Sequence, residues 1–258
     1  MDLDYTLDPS ATMRIRKLYE EELGYTNYLE FCRKSKPKTP IELENGYSKL
    51  TMLEEKDCLE IIDLIDKDDT ILLDQDFRIE VLEKILREGV DDRIAGYFES
   101  NFAPIWCRFQ KASPDQDIWP PSFKWHCDGG PIKHLKILLY LSSSEESGGN
   151  TIFLSKEETD EFRRIGYVFT ELDKRLEDLS YLAEVFSVGY NPFMFDINRG
   201  EGLLFEPFNL LHKGIKPTLK NRYIMQICFI AAATDWKDIC MNTDSPVQEN
   251  IWPEVRIK

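Results

Sequence analysis

The chain holds only three histidines, His126, His134 and His212. The first lies in Phe123-Lys-Trp-His-Cys-Asp-Gly-Gly130. On extended backbone successive side chains alternate, so His126 and Asp128 project to one face and Cys127 to the other. An imidazole nitrogen and a carboxylate oxygen therefore converge on one point. His-x-Asp by itself is a weak signal; the downstream residues give it weight. His212 lies in Phe208-Asn-Leu-Leu-His-Lys-Gly-Ile-Lys-Pro217, a second strand-like run. Ten residues later Arg222 opens the apolar run Arg-Tyr-Ile-Met-Gln-Ile-Cys-Phe-Ile. Two imidazoles and one carboxylate make a facial triad suited to non-haem Fe(II) with open coordination positions. An arginine in the same cup offers a planar fork for a carboxylate. Such a site suits a co-substrate that chelates iron at one end and carries a carboxylate at the other.

These residues need strands to hold them. From about residue 102 the sequence breaks into short strand-like runs: Ile105 to Gln110, Phe123 to Cys127, His134 to Leu141, Asn150 to Leu154, Pro192 to Ile197, Gly202 to Phe205, Leu211 to Ile215 and Arg222 to Ala231. Turn residues such as Pro120-Pro121, Gly129-Gly130, Gly148-Gly149 and Gly200 punctuate them. Short strands at this density predict an antiparallel sandwich or barrel. The first hundred residues read mostly as helix. Ile15, Leu18, Tyr19 and Leu23 form an amphipathic stripe that Gly24 ends; a second helix covers about 54–66; a third starts near Asp74 or Asp76 and stops before Gly89. Residues 155–188 are charged and helix-like, with Leu172, Leu176 and Leu179 on one face. They read as an insertion between two strands, either a lid over the metal or packing on the exterior.

With these motifs in place, the order His126-x-Asp128, His212, Arg222 resembles the Fe(II)- and 2-oxoglutarate-dependent dioxygenases, and the context is most similar to the prolyl-4-hydroxylase-like and phytanoyl-CoA-dioxygenase-like branches. Leu138-Leu-Tyr-Leu-Ser142 resembles their Tyr-Leu-Asn strand. Gly148-Gly-Asn-Thr-Ile-Phe-Leu154 resembles their Gly-Gly-x-Thr-x-Phe strand, and His212-Lys-Gly-Ile-Lys-Pro217 with Arg222 their His-x-Gly-x-x-Pro…Arg segment. The resemblance covers roughly 102–232. It implies an α+β, mainly β fold: a double-stranded β-helix (jelly-roll) core at 102–232, interrupted by the 155–188 insertion. A mainly helical N-terminal part, 1–101, packs on it, and 233–258 forms a tail. It implies Fe(II) on His126, Asp128 and His212 as metal ligands and catalytic centre, and 2-oxoglutarate gripped by Arg222, with Tyr140 and Thr151 lining the co-substrate space. Some prolyl-hydroxylase-like relatives carry lysine in place of this arginine; here Arg222 aligns and Lys220 does not. The activity implied is oxidation by O2 of an unactivated C–H bond, with release of succinate and CO2. The carboxylate of Asp128 argues against halogenation, since halogenases of this superfamily carry a small residue there.

Composition bounds the partners. Of 258 residues, 32 are Lys or Arg and 47 Asp or Glu, a net charge of −15. Nucleic acid and anionic membrane surfaces are repelled by such a chain. No apolar run approaches the roughly 20 residues of a membrane helix, and the acidic start lacks a signal peptide's pattern, so a cytoplasmic protein is expected. The six cysteines include no Cys-x-x-Cys pair. That leaves a zinc knuckle unsupported, fits a reducing compartment, and makes Cys32, Cys58, Cys107 and Cys228 small core residues. His134 reads as a strand-edge polar residue and Trp106, Trp119 and Trp125 as packing. Three functions stay open: a small-molecule hydroxylase, acting on an amino acid or natural-product-like substrate; a peptidyl side-chain hydroxylase; and a non-catalytic cupin-like metal-binding module. Oligomeric state is open too.

Overall fold

The computed structural model describes residues 7–67, 75–87 and 89–242. Two antiparallel sheets form its centre. The larger has the order β1-β6-β3-β8-β2, from β1 (Tyr47–Thr51), β2 (Asn101–Ala112), β3 (Leu135–Tyr140), β6 (Glu201–Phe205) and β8 (Arg222–Ala232). The smaller, β5-β4-β7, comprises β4 (Asn150–Phe153), β5 (Phe193–Met194) and β7 (His212–Ile215). Period-2 alternation in β3 and β8 explains how one strand serves two layers. Leu135, Ile137 and Leu139, with Tyr223, Met225, Ile227 and Phe229, face outward into the largest core. That core is closed by helices Tyr25–Ser35 (α2), Glu55–Lys67 (α3), Gln75–Ile85 (α4) and Val90–Phe98 (α5). Leu138, Tyr140 and Ile224 face the other way, into a core shared with Phe153 of the smaller sheet and Phe205. Antiparallel sheets enclosing a core, with helices on the outer face of one, make the jelly-roll α+β architecture expected from the strand pattern.

Several local expectations change. Residues 123–127 form no strand: a 3-10 turn spans Pro121–Phe123, and His126 makes a single bridge to His212. Tyr47–Thr51 was not expected as a strand; its apolar alternation is weak, and it is recruited by pairing with β6 from Tyr47↔Phe205 to Thr51↔Glu201. β2 begins at Asn101, before the expected start, and its ladder to β8 shifts between Pro104 and Trp106. Proline cannot donate to a ladder, and β2 is an edge strand where that is tolerated. The first stripe is split as well. Ala11–Arg16 (α1) is α-helical but Lys17–Glu22 is a π-turn, and the wider turn leaves Leu18 and Leu23 exposed. Helix α4 starts at Gln75; Asp74, one of its two expected caps, lies outside the described residues, as does the end of the chain, 243–258.

The 155–188 segment is not one helix. Ser155 and Glu158 form a capping box at the start of Lys156–Arg164 (α6), and a second short helix is Ser180–Phe186 (α7). Leu172, Leu176 and Leu179 fall between them in irregular chain, where Leu172 is exposed and Leu179 buried. Here the backbone bonds to other parts of the molecule instead of to itself. Trp125 N donates to Leu176 O at 2.8 Å and Cys127 N to Val168 O at 2.9 Å. Tyr167 Oη donates to Trp125 O at 3.1 Å and accepts from Leu176 N at 2.7 Å. Trp125, Cys127, Leu154, Phe162, Val168 and Leu182 share one buried cluster. The insertion thus forms a packed wall behind the His126 segment.

Removing the Tyr167 hydroxyl leaves Leu176 N and Trp125 O without that partner. Tyr167→Phe should lower unfolding free energy by about 1–3 kcal/mol, the cost of unsatisfied buried polar groups. Urea denaturation of the two proteins measures it.

Candidate metal centre

Two distant segments meet through one pair of backbone bonds: His126 N to His212 O at 3.1 Å and His212 N to His126 O at 3.0 Å. His212 is the first residue of β7, and its ring lies against Phe153 and Phe205, with centroids 6.0 and 5.0 Å away. Asp128 N is held by Pro207 O at 2.9 Å. His126, Asp128 and His212 then present ligand atoms that all lie within 4.8 Å of one another. Asp128 Oδ1 is 3.4 Å from His126 Nε2 and 3.9 Å from His212 Nε2. The pairing of His126 with Asp128 therefore survives the loss of the strand: their N–H groups bond to His212 O and Pro207 O, while that of Cys127 between them bonds to Val168 O of the insertion.

The hydrogen bonds decide the tautomers. His126 Nδ1 lies 2.7 Å from Lys124 O and His212 Nδ1 2.9 Å from Leu210 O. A carbonyl only accepts, so each Nδ1 carries the proton and each Nε2 presents a lone pair. His212 Nε2 is buried and has no hydrogen-bond partner. A buried acceptor without a donor is costly, and a Lewis acid at the convergence point would relieve it. Two neutral imidazoles and one carboxylate fit a divalent first-row metal with open positions.

Charge around the centre is arranged for the same state. Burial alone would raise the Asp128 carboxyl, but the Lys136 ammonium holds it well below the usual range. Burial drives His212 well below its ordinary value, so it stays neutral. Lys136 Nζ donates to Asp128 Oδ2 at 2.8 Å, which leaves Oδ1 turned toward the imidazoles. Sequence reasoning missed Lys136. Its signal was present: a lysine in an otherwise apolar strand, on the face shared by Leu138 and Tyr140.

Arg222 is only 2 % exposed at the start of β8. Its Nη2 donates to Thr151 Oγ1 at 2.9 Å and to Tyr140 Oη at 3.0 Å, and Tyr140 Oη donates to Asn150 Oδ1 at 3.0 Å. The bonds to Thr151 and Asn150 cross from the larger sheet to the smaller one. Arg222 Nε is buried without a partner, and no carboxylate among the described residues pairs with the guanidinium. A Cβ on Gly149 would sit 3.1 Å from Arg222 Cδ and 3.0 Å from Pro217 Cα, so glycine keeps the arginine's path open. One narrow cavity is walled by His126, His212, Thr151 and Arg222 together. The structure thus brings all six expected residues to one locality, with Tyr140 holding Arg222 from behind.

A wider cleft of about 300 Å³ lies on the other side of Lys136, walled by Trp106, Asp128, His134, Arg175 and Cys228 among others. His134 is therefore no strand-edge residue: it is buried, and Pro131 O lies 2.5 Å from its Nδ1. Cys228 is half-buried, packed against the main core and lining the cleft, and burial pushes its thiol up to about 12. Trp125 is fully buried packing as expected, while Trp106 faces the cleft.

No protein-family model matches the chain, and no curated protein matches it. Solved structures do. EctD from S. alaskensis, crystallised with 2-oxoglutarate and 5-hydroxyectoine, aligns at a TM-score of 0.51 and 12% identity over 76% of this chain and 82% of that one. The non-heme alpha ketoglutarate dependent carbocyclase SnoK from nogalamycin biosynthesis aligns at 0.52 and 10% identity, over 85% of this chain and 90% of that one. At such identities the likeness is one of fold, and the fold is that of these 2-oxoglutarate-dependent enzymes. No described helix is long and apolar enough to cross a membrane.

His212 and His134 are both depressed below 6.5 by burial. In the unfolded chain they take up protons near 6.5 and in the folded chain only at lower pH, so stability is full above about pH 6.5 and falls below it until the folded histidines titrate. The loss should be at most about 1.4 kcal/mol per pH unit for each histidine. Denaturant titrations in chelator between about pH 8 and about pH 5 measure it, and His134→Asn should flatten the slope.

Proposed function

We propose that the protein is an Fe(II)- and 2-oxoglutarate-dependent oxygenase that uses O2 to hydroxylate an unactivated C–H bond of a small molecule. One observation carries this reading: a single narrow cavity is walled both by the convergent His126 and His212 and by the buried, unpaired Arg222. His126, Asp128 and His212 would hold the iron, and Arg222, with Thr151 beside it, would bind the distal carboxylate of the keto acid. When bound, iron would activate O2, which is the oxidant, and 2-oxoglutarate would supply two of the electrons as it is oxidised to succinate and CO2.

The chain's own contribution is placement. Lys124 O and Leu210 O orient the imidazoles, and Lys136 restrains Asp128 so that one oxygen faces the metal. Tyr140 and Asn150 fix the guanidinium of Arg222. Phe153 and Phe205 keep water from His212 on the interior side. A metal-binding module with no keto acid gives no reason to bury Arg222 without a carboxylate, because an isolated buried cation is strongly destabilising. The cleft of about 300 Å³ beside Asp128 is of a size that suits a small molecule. The neighbours named above, EctD with bound 5-hydroxyectoine and a carbocyclase of nogalamycin biosynthesis, support the same class.

Metal and keto-acid titrations test the assignment. Asp128→Ala should abolish Fe(II)-dependent succinate formation and weaken metal binding. Arg222→Ala should leave metal affinity near that of the parent. Loss of one partner of a buried charge pair costs about 2–5 kcal/mol, so its Kd for 2-oxoglutarate should rise by about thirtyfold or more. Parent-like 2-oxoglutarate binding by Arg222→Ala would overturn the reading.

A further inference from the structure

The cleft beyond Lys136 has its own charge pattern. It lies beside Asp128 and is not lined by Arg222. Two cations wall it, Lys136 and Arg175. Lys136 is committed to Asp128 Oδ2 at 2.8 Å, and Asp128 Oδ1 is turned toward the two imidazoles. Arg175 has no such partner. No carboxylate among the described residues lies within ion-pair distance of its guanidinium. Its Nε is buried with no hydrogen bond, and its one side-chain hydrogen bond is a long contact from Nη1 to Pro121 O at 3.5 Å. Arginine stays protonated in proteins, so the cleft carries a cation with no ion-pair partner, which feels the Asp128 carboxylate only at longer range. A metal at the triad would add to this positive field.

The remaining walls specify more. Trp106, Ile105 and Cys228 give an apolar side. His134 Nδ1 is 2.5 Å from Pro131 O, so Nδ1 carries the proton and Nε2 is left as an acceptor. Arg175 is carried by the irregular part of the insertion, held in place by the bonds from Trp125, Cys127 and Tyr167. Its backbone is thus rigidly tied to the segment that bears His126 and Asp128. One free guanidinium fork, with the cleft's other cation, Lys136, already bonded to Asp128, matches a carboxylate better than a phosphate dianion.

We infer that this cleft is the prime-substrate side of the site and takes a small carboxylic acid, whose carboxylate pairs with Arg175 while its body lies against Trp106. The inference rests on the functional reading above for the meaning of "prime substrate", but the binding claim is separable from it. Arg175 is a specificity-determining residue, distinct in role from Arg222.

The test uses the full chain loaded with Zn(II), which is redox-inert, and 2-oxoglutarate. Ligand-observed NMR and calorimetry read binding of a panel of amino acids, 2-hydroxy acids and arylalkanoic acids. Each is paired with its primary carboxamide, and a set of phosphate monoesters is added. Acids should bind about tenfold or more tightly than their amides, a difference of about 1.4 kcal/mol. Arg175→Gln should erase that preference, and Arg175→Lys should restore part of it. Both variants should keep the parent's Zn(II) and 2-oxoglutarate affinities within about twofold, which a merely structural role for Arg175 would not predict. The inference is overturned if no acid binds, if amides or phosphate monoesters bind as well as acids, or if Arg175→Gln retains the preference. It is also overturned if that variant loses 2-oxoglutarate instead, which would make Arg175 part of the co-substrate site. The acids are titrated into the metal-free protein as well. If the parent takes no 2-oxoglutarate yet binds acids through Arg175, the functional reading fails and the anion site stands.

Discussion

The reciprocal backbone bonds between His126 and His212, 3.1 and 3.0 Å long, are the constraint on which the centre depends. Each histidine comes from a different part of the chain, and neither ring could be aimed at the other without a fixed backbone distance between them. The bridge sets that distance, and β4 extends it: Phe153 pairs with His212 and Thr151 with Gly214 in the same ladder. A candidate metal-ligand position and a position touching Arg222 are therefore two rungs apart on one small sheet. The opposite wall is set by β3 and β8, where Tyr140 is paired with Ile224, two residues from Arg222.

Around that frame, polar groups are kept in specific states by burial. His126 and His212 each spend Nδ1 on a carbonyl, so both Nε2 atoms are acceptors. Asp128 divides its oxygens between Lys136 and the imidazoles. Arg222 is bonded by neutral oxygens alone, which satisfy its hydrogen bonds without neutralising its charge. A core that only needed stability would be better served by apolar side chains at these positions. The arrangement makes sense when charged and metal ligands are added.

The insertion between β4 and β5 belongs to this frame. Its irregular stretch from Tyr167 to Leu176 takes up the backbone N–H groups of Trp125 and Cys127. The segment bearing two metal-binding candidates is thereby bonded on both sides, to β7 on one and to the insertion on the other. That double attachment replaces the regular ladder that residues 123–127 lack.

What the sequence determined by itself was local chemistry and local period. The sparse histidines, the His-x-Asp spacing and an arginine opening an apolar strand pointed to His126, Asp128, His212 and Arg222. Alternation and turn residues located most strands, because those signals depend only on neighbours in the chain. Tertiary structure decided the rest, for one physical reason: a buried polar group takes whatever partner folding brings to it. Lys136 became a clamp only because β3 passes beside Asp128. Arg175 reached the cleft because its segment gave up helical hydrogen bonds for bonds to Trp125 and Cys127, although Leu172, Leu176 and Leu179 have helical spacing. Tyr47–Thr51 became a strand because β6 offered an open edge. Each of these outcomes is set by groups far apart in sequence, where neither spacing nor propensity carries information.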